Sequence, residues 1–305
     1  MRRYAIKRIL LGIVTIIVVS IIVFFASRLS GDVVHLLLPD DATKEDEIRL
    51  RAKLGLDKPI PIQYLVFVKN LTQGDFGESI RYRLPVVEVI LKRLPGTLEL
   101  ASAAFLLSIV FGVPLGVISA TRRDSASDKA GKIFALIGQS MPSFWLGIMA
   151  ILVFSVWLQL LPTSGRGDME HLILPATTLG WFSVASIMRI TRSAMLDTMD
   201  SDFIKMARLK GNSERIVVWK HGLRNALIPV VSMAGIQLAQ LLGGAVIIEA
   251  VFGWPGLGSL ILEAVYGRDY TLVQSGVLLT SMIFISLNLI VDLLYGFIDP
   301  RIRYG

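Results

Sequence analysis

Six stretches of this chain carry no Asp, Glu, Lys or Arg: residues 9–27, 100–121, 133–165, 171–188, 225–248 and 270–291. Each is near or above the ~20 residues that an α-helix needs to cross ~30 Å of hydrocarbon. Between them the pattern changes to charged, Gly- and Pro-punctuated segments. The pattern predicts an all-α membrane protein with six transmembrane helices. Composition agrees: 53% of the 305 residues are hydrophobic and 18% charged, too few charges for a soluble domain of this length.

Lys and Arg set the orientation. With both termini cytoplasmic, the inner segments hold four of them (1–8), four (121–132), eight (189–224) and two (299–305), whereas the short outer loops 161–172 and 249–275 hold one each. The other eleven lie in residues 28–99, where ten acids before Glu99 nearly balance them. The net charge of +7 therefore follows from membrane topology, and nucleic acid is not expected as a partner. Arg2, Arg3, Lys7 and Arg8 precede an apolar run longer than a usual signal-peptide core, so residues 1–27 are expected to be a cytoplasmic N-terminus and a retained first helix. There is no cysteine, which excludes disulfides and thiolate chemistry.

Residues 28–97 are expected to form an extracytoplasmic segment. Ile48, Leu50 and Leu54 fall at helical spacing among charges after Asp40-Asp41, Gly55 to Pro59 reads as a stop, and Ile62 to Leu71 as a second amphipathic helix. Gly74 to Ser79 is a turn, and the chain from Pro85 leads into the second span. The membrane core is expected at residues 98–298, with spans near 98–120, 134–160, 172–192, 225–249 and 274–297 and a cytoplasmic loop at 197–222; residues 299–305 form the tail. Pro114, Pro142 and Pro229 lie in or beside spans and can kink them. Between the last two spans, Phe252 to Gly258 is too rich in Gly and Pro to stay regular. Leu260, Ile261, Ala264 and Val265 then repeat at helical spacing, predicting an outer re-entrant or surface helix with Trp254, Tyr266 and Tyr270 at headgroup level. It is either an anchor or part of a gate.

The loop 197–222 is the longest charged one with membrane at both ends. Phe203, Met206 and Ala207 are placed on one helical face. Gly211 suits a helix C-terminus, Ser213 can cap a second helix, and Glu214 lies in that helix's first turn. Two short helices folded at a glycine make a knob for another protein to grip.

Ala207-x-x-x-Gly211, with Ile228-Pro229 following, resembles the cytoplasmic coupling loop of binding-protein-dependent ABC importer permeases. Lys205-Met206 stands where that loop usually opens Glu-Ala, a departure common in the oligopeptide/dipeptide/nickel branch. The segments GDFGES and PVVEVILKRLPGTLEL, SMPSFWLG (Ser140 to Gly147), EAVFGWPGLGSLILEAVYGRDY and the terminal DPRIR are similar to the same branch, so the resemblance covers nearly the whole chain. It implies a type I ABC importer permease fold and, as partners, a second homologous permease, two cytoplasmic ABC ATPases and an extracytoplasmic substrate-binding protein. It also implies a bacterial inner membrane and a short peptide as cargo, with glutathione or a nickel chelate as alternatives. The coupling role falls on Phe203, Met206, Ala207, Gly211 and Glu214.

Candidate chemistry on the chain itself is sparse. No Gly-x-x-x-x-Gly-Lys-Ser/Thr loop is present, so ATP and Mg belong to partner subunits and no cofactor is expected here. His35, His171 and His221 fall outside, outside and inside and do not form a metal site. No catalytic constellation occurs, and the chain is not expected to be an enzyme. Polar groups within spans are the remaining candidates. Asn288 and Asp292 share a helix face, giving either a proton site or a structural pair with Arg189 or Arg192. Gln139, Gln237 and Gln240 either line a polar passage or hydrogen-bond between helices. A proton-coupled secondary transporter using Asp292, or a membrane anchor, is the competing class.

Overall fold

A computed structural model of the chain describes residues 2–29, 43–53 and 56–298, and side chains over 6–28, 43–49, 51–52 and 56–290. Among the described residues the structure is helical, with one isolated β-bridge between Glu78 and Pro85. Asp40, Asp41, His35 and the DPRIR tail lie outside the described residues.

The helices are α1 (Arg2–Leu29), α2 (Lys44–Lys53), α3 (Ile60–Thr72), α4 (Val86–Thr121), α5 (Ala126–Ser140), α6 (Ser143–Ala150), α7 (Met169–Met199), α8 (Asp202–Leu209), α9 (Glu214–Ile216), α10 (Leu223–Val251), α11 (Leu257–Tyr266) and α12 (Tyr270–Ile298). Two π-helical stretches, Ile151–Trp157 and Val217–Gly222, continue α6 and α9.

Five of the spans are helices long and apolar enough to cross a membrane, within α1, α4, α7, the run Glu214–Val251 and α12. The third expected span differs. It is a broken pair, Ala126–Ser140 and Ser143–Trp157, bent by 106°. The cause is local: Met141 and Pro142 are both extended (ψ 129° and 135°), and Pro142 cannot donate the hydrogen bond that would continue α5.

The chain divides into two compact units, residues 95–259 with the chain from Ile290 onward, and residues 2–94 with 260–289. In the second, Ser27 on α1 donates to Gln274 on α12 at 3.0 Å and Phe24 packs edge-on against Tyr64 of α3. Asp269 accepts from the Ser79 hydroxyl and from the Arg81 N–H, tying the turn before α4 to the start of α12. Pro59 precedes α3 as its N-cap; Gly55, where the stop was expected to begin, lies outside the described residues.

In the first unit, α7 packs along α10. One apolar cluster joins Leu100 and Ala104 of α4, Leu174, Ala176 and Leu179 of α7, and Leu241, Ala245 and Ile248 of α10. A second joins Val113 and Val117 of α4, Ile187 and Met195 of α7, and Ala226, Val230 and Ala234 of α10. At ~1.5 Å per residue the 31-residue α7 is about 46 Å long, so its last turns reach beyond the hydrocarbon and carry α8 with them.

Candidate coupling site and membrane path

α8 opens with Asp202 in its first turn and closes with Arg208 in its last, both favourable against the helix dipole. The reversal is at Gly211, with φ +77° and its N–H donating to the Arg208 carbonyl at 2.9 Å. A Cβ at Gly211 would meet nothing within 4 Å. The glycine is required by backbone conformation alone, a left-handed cap that costs an L-residue roughly 1–2 kcal/mol. Asn212 Nδ2 donates to the Ala207 carbonyl at 2.9 Å, and Arg208 Nε donates to Glu214 Oε1 at 2.7 Å. The Arg208–Glu214 pair therefore spans the turn. Ser213 occupies the N-cap position of α9 but makes no side-chain capping bond.

Burial divides the face expected to hold Phe203, Met206 and Ala207. Phe203 and Met206 are 47% and 54% exposed, whereas Ala207 is 7% exposed. Ala207 packs with Ile204 and Val217, against Met199, in a small core inside the loop. The reason is the fold-back at Gly211: the returning segment needs an apolar surface, and the methyl of Ala207 lets Val217 come close. The outward ridge is instead Phe203, Met206 and the 82%-exposed Leu209, bordered by Lys205, Arg208 and Lys210. Leu209 was visible only as the next i+3 position after Met206. An apolar ridge with a cationic rim suits a partner groove with acidic edges.

Beside this loop lies a charged cluster that sequence reasoning did not identify. Asp128 of α5 is fully buried. Its carboxylate accepts from Arg192 Nε at 2.7 Å and Nη2 at 3.0 Å, from the Asp124 N–H at 3.0 Å and from the Ser119 hydroxyl, with Lys132 Nζ at 2.9 Å. Arg192 is thus engaged by Asp128, and Arg189 donates to Gln139 Oε1 at 3.0 Å. Asp292, expected to pair with one of these arginines, has its side chain outside the described residues. Ser125-x-x-Asp128 at the start of α5 was the available signal, since Ser125 Oγ accepts from the Asp128 N–H at 3.3 Å.

At the other end of the same unit, Glu249 is fully buried at the end of α10. It accepts from the N–H groups of Gly258 and Ser259 at 2.7 and 3.0 Å and from the Thr97 hydroxyl. A carboxylate at two N–H groups of the first turn of α11 satisfies donors that the helix cannot. Trp254, expected at headgroup level, is enclosed by protein: it is 1% exposed and its Nε1–H donates to the Gly96 carbonyl at 2.8 Å. Its ring fills the space between the turn and α4, a contact that hydropathy does not encode. A Cβ at Gly256 would fall on the Glu249 carboxylate, so the turn closes only around a glycine. Tyr266 is 84% exposed, as an interfacial tyrosine would be.

The polar candidates inside the spans separate. Gln139 makes the interhelical hydrogen bond to Arg189. Gln237 is buried on α10 between the two apolar clusters, and neither end of its amide finds a partner among the described residues. Gln240 is exposed and Asn288 half-buried. The side chain of Asp292 lies outside the described residues. Among the described residues no three His, Cys, Asp or Glu side chains are grouped to hold a metal.

Five long apolar helices and a bent apolar pair, with a folded charged knob and a turn closed on a buried carboxylate, define a multi-pass membrane protein. The family model for the inner membrane component of binding-protein-dependent transport systems matches residues 112–304, and the model for the N-terminal part of the same components matches residues 1–101. The chain belongs to this family. It is a multi-pass inner-membrane permease subunit of an ABC importer, not itself catalytic, and works with an ATPase and a binding protein. Among its relatives are the glutathione transport system permease proteins GsiC of Salmonella choleraesuis and of Escherichia coli K12, each 44% identical over 100% of both chains. The fold is shared with the permease of the MetNI methionine ABC transporter, at a TM-score of 0.58 and 21% identity over 69% of this chain and 96% of that one. An amino acid ABC transporter matches at 0.52 and 16% identity over 70% and 94%.

Proposed function

We propose that this permease passes a short peptide across the inner membrane, with glutathione, itself a tripeptide, as the first candidate. The observation that carries this reading is the 44% identity, end to end, to permeases named for glutathione transport. Dipeptides, longer peptides and a nickel chelate are the other cargoes to compare.

In this reading the assembly holds a second homologous permease, two ATPases and the external binding protein, which docks near residues 28–97. The outward ridge Phe203, Met206 and Leu209 enters a groove on one ATPase. Ala207 and Ile204 keep the knob rigid, Gly211 allows the reversal, and the Arg208–Glu214 pair stiffens it. ATP-driven closure of the two ATPases draws the knobs together and opens the path outward; the binding protein releases cargo into it. Hydrolysis and product release restore the inward-facing state. Each ligand acts by favouring one of two arrangements. Gln237 and Gln240 of α10 are the groups proposed to meet cargo in the path.

The test is uptake into proteoliposomes holding the complete importer and its binding protein. ATP-dependent uptake of labelled glutathione, reduced by excess unlabelled glutathione and not by a nickel chelate, supports the reading. Uptake of the nickel chelate alone overturns it.

A further inference from the structure

Lys132, Ala135, Leu136 and Gln139 repeat at i, i+3, i+4 and i+7 along α5, and so share one helix face. With Met188, Arg189 and Arg192 of α7 they enclose a cavity of about 290 Å³. Three of these seven side chains are cations and three are apolar. The fully buried Asp128 carboxylate pairs with Arg192 and Lys132, and Asp124 lies 3.7 Å from Lys132, so two carboxylates offset these two cations and the uncompensated charge is that of Arg189. Arg189 is exposed, and among the described residues it contacts only the neutral Gln139 amide. The lining therefore carries a surplus of positive charge that its own neighbours do not neutralise.

The position of these cations along the chain identifies what would meet them. Lys132 directly precedes the uncharged run 133–165, and Arg189 directly follows the run 171–188. Both therefore mark the inner boundary of the hydrocarbon. One turn into the run, Leu136 is 68% exposed. Cations at the boundary with an exposed apolar side chain just inside it match a lipid with an anionic headgroup and acyl chains. A small soluble anion would gain nothing from Leu136, Ala135 and Met188. Basic pockets between membrane helices on the cytoplasmic side bind anionic headgroups by this combination of charge and depth.

We propose that Lys132, Arg189 and Arg192 form a binding site for the headgroup of an anionic phospholipid of the inner leaflet, with Leu136 and Met188 against its chains. The site joins α5 to α7, and α7 carries α8, so an occupied site braces the helix from which the knob extends. It does not depend on which cargo is transported.

The test is native mass spectrometry of the complete importer, delipidated and then supplied with phosphatidylglycerol or phosphatidylcholine. Retention of phosphatidylglycerol over phosphatidylcholine is expected, reduced about fivefold in Arg189→Gln, the effect of one cation near a membrane surface, and restored in Arg189→Lys. Arg189 makes no described ion pair, so the Gln variant should elute as the intact complex; Leu136→Gln, which leaves every cation in place, should also weaken retention. Equal retention of the two lipids, or unchanged retention in Arg189→Gln, overturns the proposal. Displacement of the lipid by millimolar inorganic phosphate or by glutathione also overturns it, and assigns the cavity to a soluble anion.

Discussion

Arg192 of α7 presents two N–H groups to the Asp128 carboxylate of α5, at 2.7 and 3.0 Å, and Asp128 has no exposed surface. The pair crosses from the last turns of one helix to the first turn of another, shortly before the chain builds the knob. Removing one partner leaves a desolvated charge, a loss of about 3–5 kcal/mol for a buried pair. Because Lys132 remains beside Asp128, Arg192→Ala should fall at the low end, about 3 kcal/mol, and the Asp128→Ala, Arg192→Ala double variant should cost less than the sum of the singles. Unfolding of the three variants in lipid nanodiscs checks this; additive losses would show that the two side chains act independently.

Gly211→Pro should separate ATP hydrolysis from transport. Proline cannot adopt φ +77° or supply the N–H that the Arg208 carbonyl receives, so the knob loses its reversal while the spans remain inserted. The expected result is retained ATP hydrolysis with uptake abolished. Gly211→Asn, which tolerates the left-handed conformation, should keep most uptake. Unchanged uptake in the proline variant would refute this account of the loop.

The inward and outward faces of α8 should respond differently. Phe203→Ala and Met206→Ala remove exposed side chains, so the permease melts normally while co-purification of the ATPase falls at least tenfold, as for side chains at the centre of an interface. Ile204→Ala empties the core shared with Ala207 and Val217 and should lower stability by about 2–5 kcal/mol. Should Phe203→Ala leave ATPase recovery unchanged, the ridge is not the contact.

The outer turn should tolerate neither bulk at Gly256 nor loss of the Trp254 donor. An added methyl at residue 256 collides with the Glu249 carboxylate, so Gly256→Ala must displace a group that holds two N–H groups of α11. Trp254→Phe removes the 2.8 Å indole hydrogen bond to the Gly96 carbonyl and costs about 0.5–1.5 kcal/mol, the net worth of one hydrogen bond. Melting temperature and protease cleavage within residues 250–260 read both effects; a wild-type cleavage pattern in Gly256→Ala would contradict the packing.

Gln237→Leu tests the path. A buried amide unpaired among the described residues contributes little to stability, so leucine of similar volume should leave melting unchanged or raise it. If the amide meets passing peptide groups, uptake in the variant falls severalfold. Wild-type uptake would place the path elsewhere.

Much of this protein was legible in its pattern. Uncharged runs of about 20 residues can only be satisfied in lipid as helices, so five apolar helices, and the helix at 257–266, follow from residue order, whereas the 106° bend between Ser140 and Ser143 does not. Gly211 was legible as the reversal because conformational demands of glycine are local. The division of α8 was not: Phe203 and Ala207 are four apart on one helix face, the larger apolar side chain is the exposed one, and only the return of Val217 decides which is covered.

Buried charges were the least legible. Asp128 and Glu249 sit at the edges of apolar runs, where the sequence by itself marks them as loop acids. Tertiary structure decided that each is fully enclosed, one by Arg192 from 64 residues away and one by N–H groups of a helix that begins after a turn. The same holds for Trp254, whose amphipathic ring suits a membrane interface as well as a packed turn. The sequence determined the class of protein, its membrane segments and the knob, because hydrophobicity and backbone conformation are properties of single residues and their near neighbours. Which polar groups are paired, and which apolar ones remain free to meet a partner, depends on helices brought together from distant parts of the chain, and only the fold decides that.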